Sequence, residues 1–373
     1  MSDRSRKKIF AAAAAAFALY GALAARPVPQ ETVLAPRWLG SLESGLPTIL
    51  GERRHPPAGD SLGPLPFEIG DRFGYVGMDG AFLLNRAKTG RVSISPGRWA
   101  EFGAQPESVE IRGPSGELVA AISDPGGYPF FLDGRYFVMG SGQSSVTEFD
   151  ASGAALWTFD FPSQVIVADA AAGLFLAGLL DGAAVLVDGQ GRQAFSFEPG
   201  GSRFSIVLGA AISGDGSRLA VVSGIDSQRF LALERLGAGP GGAIDFRVVY
   251  HEFLGEGFRR PVHVSFVDGG RRAVFEREGG IGIYDAGSRS TRSLRIDGEL
   301  RAIDGYGGQG LLFAVFDRGG GAKDFVGMRI SGRRPGVAML APFRSGSAFV
   351  GRMGSRLVVG GDRALAAFDL ERR

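Results

Sequence analysis

Short apolar runs separated by tight turns repeat along most of the chain. From about residue 67 onward, runs rich in Val, Leu, Phe and Ala alternate with Gly or Asp-Gly turns. The clearest unit, residues 165–197, contains four such runs, with Asp181-Gly182 and Gly189-Gln190-Gly191 between the later ones. Connections of this length join antiparallel neighbours, so the unit predicts a four-stranded antiparallel sheet.

The same unit recurs at a regular spacing. Its first strands are predicted to begin near Phe73, Tyr128, Val165, Ser205, Val262, Leu300 and Ser347. A mean spacing of about 46 residues is typical of β-propeller blades. The last unit shows only three strands, and Leu65–Gly70 is a spare strand that could complete it by circular closure. We therefore expect residues 67–373 to form one all-β domain, a β-propeller of about seven four-stranded blades, with six or eight left open where insertions blur the period.

Two of the turns share a D-x-x-G form, and a strand with an aromatic residue follows each. These are Asp150–Gly153, followed by Trp157, and Asp188–Gly191, followed by Phe195. In this repeat form, residues 67–373 resemble the WD40-like and quinoprotein-like (PQQ-like) β-propellers exported by bacteria, although no Trp-Asp dipeptide closes a blade. The resemblance implies a rigid disc with a central channel and ligand-binding loops on one face. Its nearest analogues in role would be non-enzymatic propellers that scaffold envelope assembly.

The amino terminus has the layout of an export signal or a membrane anchor. Arg4, Arg6, Lys7 and Lys8 precede Ile9–Ala25, an uncharged apolar run. Ala22-Leu23-Ala24 offers a cleavage pattern, while the length of the run is at the lower limit for a spanning helix. Residues 1–25 are thus predicted to be a signal peptide or an uncleaved anchor helix. The basic cluster places the rest of the chain on the extracytoplasmic (periplasmic) side, either anchored to the cytoplasmic membrane or secreted.

Residues 26–66 hold eight of the chain's 19 prolines, which predicts an extended proline-rich linker.

Lys and Arg total 41 against 39 Asp and Glu. The first 25 residues hold four of these cations and one of the acids, which leaves 37 Lys and Arg against 38 Asp and Glu, a nearly neutral remainder. The body therefore lacks the basic footprint of a nucleic-acid-binding protein. The absence of cysteine excludes disulfides and thiolate metal sites.

Several motifs match known chemistry without the context that the chemistry needs. The G-x-G-x-x-G patterns at 237–242 and 305–310 are not placed between a strand and a helix, so no dinucleotide site is expected. Gly279–Asp285 resembles a single calcium-binding nonapeptide but is better interpreted as a hairpin turn. The three histidines, His55, His251 and His263, lack metal-ligand spacing. We therefore predict no catalytic residue, no metal site and no cofactor.

One region concentrates polar residues at the predicted blade connections. If the strands follow propeller order, Arg203, Asp226, Arg229, Arg259 and Arg260 converge on one face near the channel mouth. Arginine forks suit carboxylate or phosphate groups, so this face is a candidate binding surface. The alternative is a set of structural ion pairs, with Glu276 or Glu278 as partners, that hold neighbouring blades together.

These observations favour a non-enzymatic scaffold in the cell envelope, held at the membrane by its N-terminal segment and binding one or more envelope proteins. The alternative is a channel-face enzyme or small-molecule sensor, such as a quinoprotein-type oxidoreductase or a lactonase-like enzyme. Those chemistries need a divalent metal held by clustered acids, and no such cluster can be chosen from the sequence.

Overall fold

The computed structural model describes residues 32–50, 63–237, 244–255, 257–304, 310–332 and 335–372. The chain divides into two compact units, of which residues 36–368 are the larger. The smaller unit, residues 1–35 and 369–373, contributes the start of the first strand and the end of the last one. All regular elements in the described ranges are strands, and no helix there is long and apolar enough to cross a membrane. The predicted signal or anchor, residues 1–25, lies outside the described residues.

The strands form eight sheets, numbered here as blades in chain order. The first four blades are the following. Blade 1 contains β3 (Leu65–Ile69), β4 (Arg72–Val76) and β5 (Phe82–Ala87); blade 2 contains β6 (Arg91–Ser95), β7 (Arg98–Phe102), β8 (Ser108–Arg112) and β9 (Leu118–Ser123); blade 3 contains β10 (Gly127–Leu132), β11 (Arg135–Gly140), β12 (Ser145–Phe149) and β13 (Ala155–Asp160); blade 4 contains β14 (Val165–Ala171), β15 (Leu174–Leu179), β16 (Ala184–Val187) and β17 (Gln193–Phe197).

The remaining blades follow the same meander, and the last one adds two strands from the start of the chain. Blade 5 contains β18 (Val207–Ile212), β19 (Arg218–Ser223), β20 (Gln228–Arg235) and β21 (Phe246–Gly255); blade 6 contains β22 (Val264–Val267), β23 (Arg272–Arg277), β24 (Gly280–Asp285) and β25 (Ser290–Arg295); blade 7 contains β26 (Glu299–Ile303), β27 (Leu311–Gly319), β28 (Ala322–Arg329) and β29 (Gly336–Arg344); blade 8 contains β30 (Phe349–Met353), β31 (Arg356–Gly361), β32 (Ala364–Arg372), β1 (Thr32–Ser41) and β2 (Pro47–Ile49).

The blades close into a ring. The first strand of one blade contacts the first strand of the next at seven of the eight junctions, including β30 with β3. At the eighth junction, blades 6 and 7 share a core in which Ile281 packs with Leu312 and Val326. Neighbouring blades bury apolar side chains between their faces, as where the rings of Phe230 in β20 and Phe275 in β23 stack at 4.1 Å. The prediction of an all-β propeller is confirmed.

The preferred count of seven blades is wrong, because the structure has eight, one of the two numbers that the sequence left open. Six of the seven predicted starts fall within two residues of a first strand, but Phe73 lies in β4, a second strand. Blade 2 was not counted as a separate repeat. Blade 1 has only three strands, and residues 88–90 alone separate β5 from β6. In the sequence, so short a junction between two blades cannot be distinguished from a turn within one blade. Residues 73–123 are therefore predicted as one repeat, although they belong to two blades.

The closing strand also differs from the prediction. Leu65–Ile69 pairs with β4 as the first strand of blade 1, and β1 occupies the position beside β32. Both β1 and β2 lie within residues 26–66, the predicted linker. A proline such as Pro36 argues against a strand in the sequence, because it cannot donate a backbone hydrogen bond to a neighbouring strand. In the structure, β2 pairs only with Trp38 to Gly40, so Pro36 lies outside that ladder. The buried indole Nε1 of Trp38 donates to the carbonyl of Met78 at 3.0 Å, which holds β1 against blade 1.

The D-x-x-G turns pack each blade against the preceding one. In the turn between β16 and β17, the carboxylate of Asp188 accepts hydrogen bonds from the backbone N–H groups of Gln190 and Arg192 at 2.9 and 3.0 Å. Gly191 has φ +73°, and a Cβ there would lie 2.6 Å from the side chain of Trp157 in β13. Glycine is therefore required twice, by the backbone conformation and by the close approach of the indole.

Candidate functional site

Three connections of the chain meet on one face beside blade 5. Because strands of a meander alternate in direction, the connections between blades and the turns between second and third strands lie on the same face. The connection between β17 and β18, the turn between β19 and β20, and the connection between β21 and β22 enclose a cavity of about 410 Å³. We call this cavity the recess; its lining residues are Arg203, Phe204, Ile225, Asp226, Gly257 and Arg259.

An ion pair joins the first two of these connections. Arg203 Nε lies 3.2 Å from Asp226 Oδ2, while Ser202 Oγ donates to Asp226 Oδ1. The hydrogen bond from Ser202, followed by that from Arg203, lowers the pKa of Asp226 to about 2. Asp226 is therefore anionic throughout the physiological range. The Arg203 side chain remains 85% exposed, so its other nitrogens face solvent.

Phe204 presents an aromatic ring at the same edge. Its backbone is fixed, since Ile225 N donates to Phe204 O at 3.2 Å and Phe204 N donates to Ser202 Oγ at 3.1 Å. The side chain is nevertheless 58% exposed. A large apolar side chain held outward on a rigid backbone is a favourable contact for a partner, because little conformational entropy is lost on binding.

Gln228 holds the third connection in place. This side chain is buried, and its Nε2 donates to the carbonyls of Gly224 and Phe258 at 3.3 Å each. One amide thus links the turn between β19 and β20 to the connection that carries Gly257 and Arg259. Gln228 is a positioning residue for the recess.

Arg229 lies next to the recess and does not line it. Its Nη2 donates to the carbonyl of Gly201 at 3.4 Å, and its Nε is buried without a hydrogen-bond partner. The guanidinium packs so closely on Gly201 that a Cβ there would lie 2.4 Å from it. Arg229 therefore supports the connection that carries Arg203.

The adjacent arginines Arg259 and Arg260 have different surroundings. Arg259 is exposed, lines the recess and makes no hydrogen bond or ion pair with the described residues. Arg260 instead pairs with Glu276 of β23 through two hydrogen bonds of 2.7 and 3.1 Å, and with Glu299 of β26 at 3.3 Å. The hydrogen bonds that Arg260 donates to the carboxylate of Glu276 raise the pKa of Arg260. Arg260 thus joins the connection after blade 5 to blades 6 and 7.

The structure brings together three of the five residues predicted for the site, Arg203, Asp226 and Arg259. Arg229 lies next to the recess and does not line it. Arg260 forms an ion pair with Glu276, as expected from the alternative interpretation that these arginines hold neighbouring blades together. Phe204 and Gln228 were not singled out from the sequence. An aromatic residue directly after Arg203 in a polar connection was the available signal for Phe204.

Among the described residues, no group of three or more His, Asp or Glu side chains could hold a metal ion. His263 Nε2 bonds Ser265 Oγ at 2.8 Å, and burial lowers the pKa of His263 to about 4. Gly280 begins β24 opposite Arg277, so the segment that resembles a calcium nonapeptide starts with a hairpin turn, as predicted. The glycine patterns at 237–242 and 305–310 lie mostly outside the described residues.

The fold and the recess together define an eight-bladed β-propeller with a polar, arginine-bearing recess on one face. Residues 1–372 match the family described as beta-propeller protein, and the chain belongs to this family. A protein of Treponema pallidum (strain Nichols), described as uncharacterized, is 28% identical over 302 residues, which cover 80% of this chain and 78% of the relative.

Solved structures share the fold at low sequence identity. BamB from Moraxella catarrhalis superposes with a TM-score of 0.55 at 11% identity, over 90% of this chain and 100% of that one. Apo AztD from Citrobacter koseri gives a TM-score of 0.57 at 12% identity, over 83% and 92% of the two chains. The resemblance to bacterial propellers drawn from the repeats is confirmed at the level of the fold.

Proposed function

We propose that this protein is a non-enzymatic interaction scaffold on the extracytoplasmic side of the cell envelope, tethered through its N-terminal segment, and that the recess is its partner-binding site. The observation that carries the proposal is the exposure of Arg203, Phe204 and Arg259 around one cavity. Arginine and aromatic residues are the side chains that most often supply binding energy at protein interfaces. Here they project from connections that a rigid sheet framework holds in place.

The charge of the recess indicates the kind of partner. Arg203 and Arg259 carry two positive charges, and Asp226, with its lowered pKa, offsets one of them. An acidic side chain of a partner could pair with Arg259, while an apolar neighbour packs on Phe204. We therefore propose an extended, acidic segment of an envelope protein as the occupant.

The tether is supported by the sequence alone. The basic cluster from Arg4 to Lys8, followed by Ile9–Ala25, has the layout of a signal or anchor. In either case the propeller would lie outside the cytoplasm, where its face can meet other envelope proteins.

Co-purification of the full chain from membranes of its own source tests the proposal. Arg203→Ala and Arg259→Ala together should release the partner and leave the melting temperature nearly unchanged, because both side chains are exposed. The matched control is Arg192→Ala, which removes another highly exposed arginine that pairs with Asp188 at 2.8 Å on the opposite face. An unchanged yield of partner with the double variant, or an equal loss with the control, would contradict the proposal.

A stoichiometric metal or chromophore in the purified protein would instead favour the channel-face enzyme or sensor.

A further inference from the structure

Exposed apolar side chains are concentrated on one arc of the propeller rim. Among the described residues, seven of the fourteen large hydrophobic side chains that are exposed lie on or beside the outer strands of blades 7, 8 and 1. These blades are neighbours in the ring, because β30 contacts both β26 and β3. We call the set the apolar arc; its members are Leu39, Leu46, Ile49, Leu50, Leu83, Val337 and Leu340. Single exposed leucines are ordinary, whereas a group on adjacent blades marks a contact surface.

Two outermost strands within the arc lack the charges that normally protect a sheet edge. Residues 46–50, which include β2, and residues 336–343, which form most of β29, contain no charged residue. Each strand is the last of its sheet among the described strands. Pro47 and Pro342 interrupt the two edges, and proline disfavours the addition of a further strand. The arc is therefore suited to apolar contact through its side chains and poorly suited to β-strand pairing.

The part of the arc on blade 8 is held on a rigid framework. Ile49 lies opposite the buried Trp38 in the ladder between β1 and β2. Pro47 packs so closely on the turn between β4 and β5 that a Cβ at Gly80 would lie 3.0 Å from the Cβ of Pro47. The exposed side chains are thus presented on a fixed backbone, and little conformational entropy is lost when a surface covers them.

The chain enters the propeller through β1, in the middle blade of the arc. Ten residues, 26–35, separate the apolar run that ends at Ala25 from Pro36, where the larger unit begins. Ten residues span at most about 35 Å when fully extended. An anchor formed by residues 9–25 would therefore keep the bilayer within reach of blade 8.

We propose that the apolar arc contacts the lipid bilayer, so that the propeller stands on its rim at blade 8 and the recess beside blade 5 faces the aqueous space. The contact rests on the tether proposed above, which holds the bilayer at a high effective concentration near the arc. Burial of apolar surface at the membrane interface then selects this orientation. The arc consists of leucine, isoleucine and valine, whereas tyrosine, tryptophan and arginine usually dominate the binding energy at protein interfaces.

Fluorescence quenching of the full chain in phosphatidylcholine vesicles tests this contact. The chain has no cysteine, so a single introduced cysteine can be labelled with bimane. Leu340→Cys in β29 reports on the arc, and Leu156→Cys in β13 is the matched control, because these leucines are 56% and 57% exposed on outer strands at opposite sides of the ring. Phosphatidylcholine with a nitroxide on its acyl chain should quench most of the fluorescence of labelled Leu340→Cys and little of that of labelled Leu156→Cys.

A further double change tests whether the apolar side chains cause the orientation. Leu46→Ser together with Ile49→Ser removes two exposed hydrophobic side chains of blade 8 and no buried one. In the labelled Leu340→Cys protein, these changes should reduce the quenching toward that of the Leu156→Cys control, because the apolar contact that holds the rim on the bilayer is weakened. Quenching that the two serines leave unchanged would overturn the proposal.

Vesicle sedimentation separates this contact from the tether. If the chain stays with the vesicles after a high-salt wash but the two labels are quenched equally, the contact is overturned and the tether stands. A chain that is washed off contradicts the tether and the contact together. Protection of labelled Leu340→Cys from aqueous iodide without quenching by the nitroxide lipid would show that a protein covers the arc, and would overturn the lipid contact. None of these readings involves a partner in the recess.

Discussion

The neighbouring arginines Arg259 and Arg260 allow an internal comparison between a cation that has no ionic contact with the described residues and a cation that is paired. Arg260→Ala removes both hydrogen bonds to Glu276 and the 3.3 Å contact with Glu299. The Glu276 side chain is only 5% exposed, so its carboxylate would remain buried without its cation. Arg259→Ala removes a side chain that makes no such contact with the described residues.

The structure sets the scale of the effect. Removing one partner of a fully buried pair costs about 3–5 kcal/mol, because the remaining charge is left without compensation. The Arg260 side chain is 37% exposed, so water can partly replace it. We therefore expect the free energy of unfolding to fall by about 2–3 kcal/mol. For a domain of about 300 residues, that change lowers the melting temperature by about 3–5 °C.

Thermal and urea unfolding of the two single variants measures the difference. Arg259→Ala should change the free energy of unfolding by less than about 0.5 kcal/mol, as is usual for an exposed surface residue. Adding Glu276→Ala to Arg260→Ala should recover part of the loss, since no buried charge then remains. Equal melting temperatures for Arg259→Ala and Arg260→Ala would refute the assignment of Arg260 to a structural pair.

Two further predictions concern stability. Burial lowers the folded-state pKa of His263 to about 4, below the ordinary value of 6.5. The contribution of His263 to the free energy of unfolding is therefore complete above pH 6.5 and is lost as the pH falls toward 4. Between pH 7 and pH 5 the free energy of unfolding should fall by about 2 kcal/mol. Urea unfolding should show that His263→Asn removes this pH dependence and that a change at the exposed His251 does not, and an unaltered profile in His263→Asn contradicts the assignment. Gly191→Ala should destabilise more than Gly134→Ala, because both glycines have positive φ but only the new methyl at Gly191 meets Trp157. Equal melting temperatures for the two alanine variants would show that the contact with Trp157 is unimportant.

The fold could be predicted where the sequence contains a regular local signal. Hairpin turns such as Asp181-Gly182 and alternating apolar runs depend on residues close in the chain, so blades 3 to 8 were placed within two residues at their first strands. Blade 1 could not be counted correctly, because its third strand leads into β6 after three residues. The closing strand β1 depends on pairing with β32 at the other end of the chain, and no local pattern specifies a partner so distant.

The candidate site shows the same limit. Propeller order alone predicted that the connections carrying Arg203, Asp226 and Arg259 would meet. It could not separate Arg259 from Arg260, because side-chain direction in an irregular connection is set by tertiary contacts. The two carboxylates that hold Arg260 come from blades 6 and 7. Phe204 was missed because its exposure depends on the backbone bond from Ile225, a contact between separate connections.

The most direct test of the scaffold role is the stoichiometry of the partner recovered with the full chain from its own membranes. Wild-type and Arg192→Ala proteins should recover the same partner in a fixed ratio, and Arg203→Ala/Arg259→Ala should lose at least about nine-tenths of it, as expected when two interface arginines are removed. The melting temperatures of all three proteins should agree within about 2 °C, since none of the changes removes a buried contact. A fixed ratio that survives in the double variant, or the absence of any stoichiometric partner from the wild type, would contradict the account.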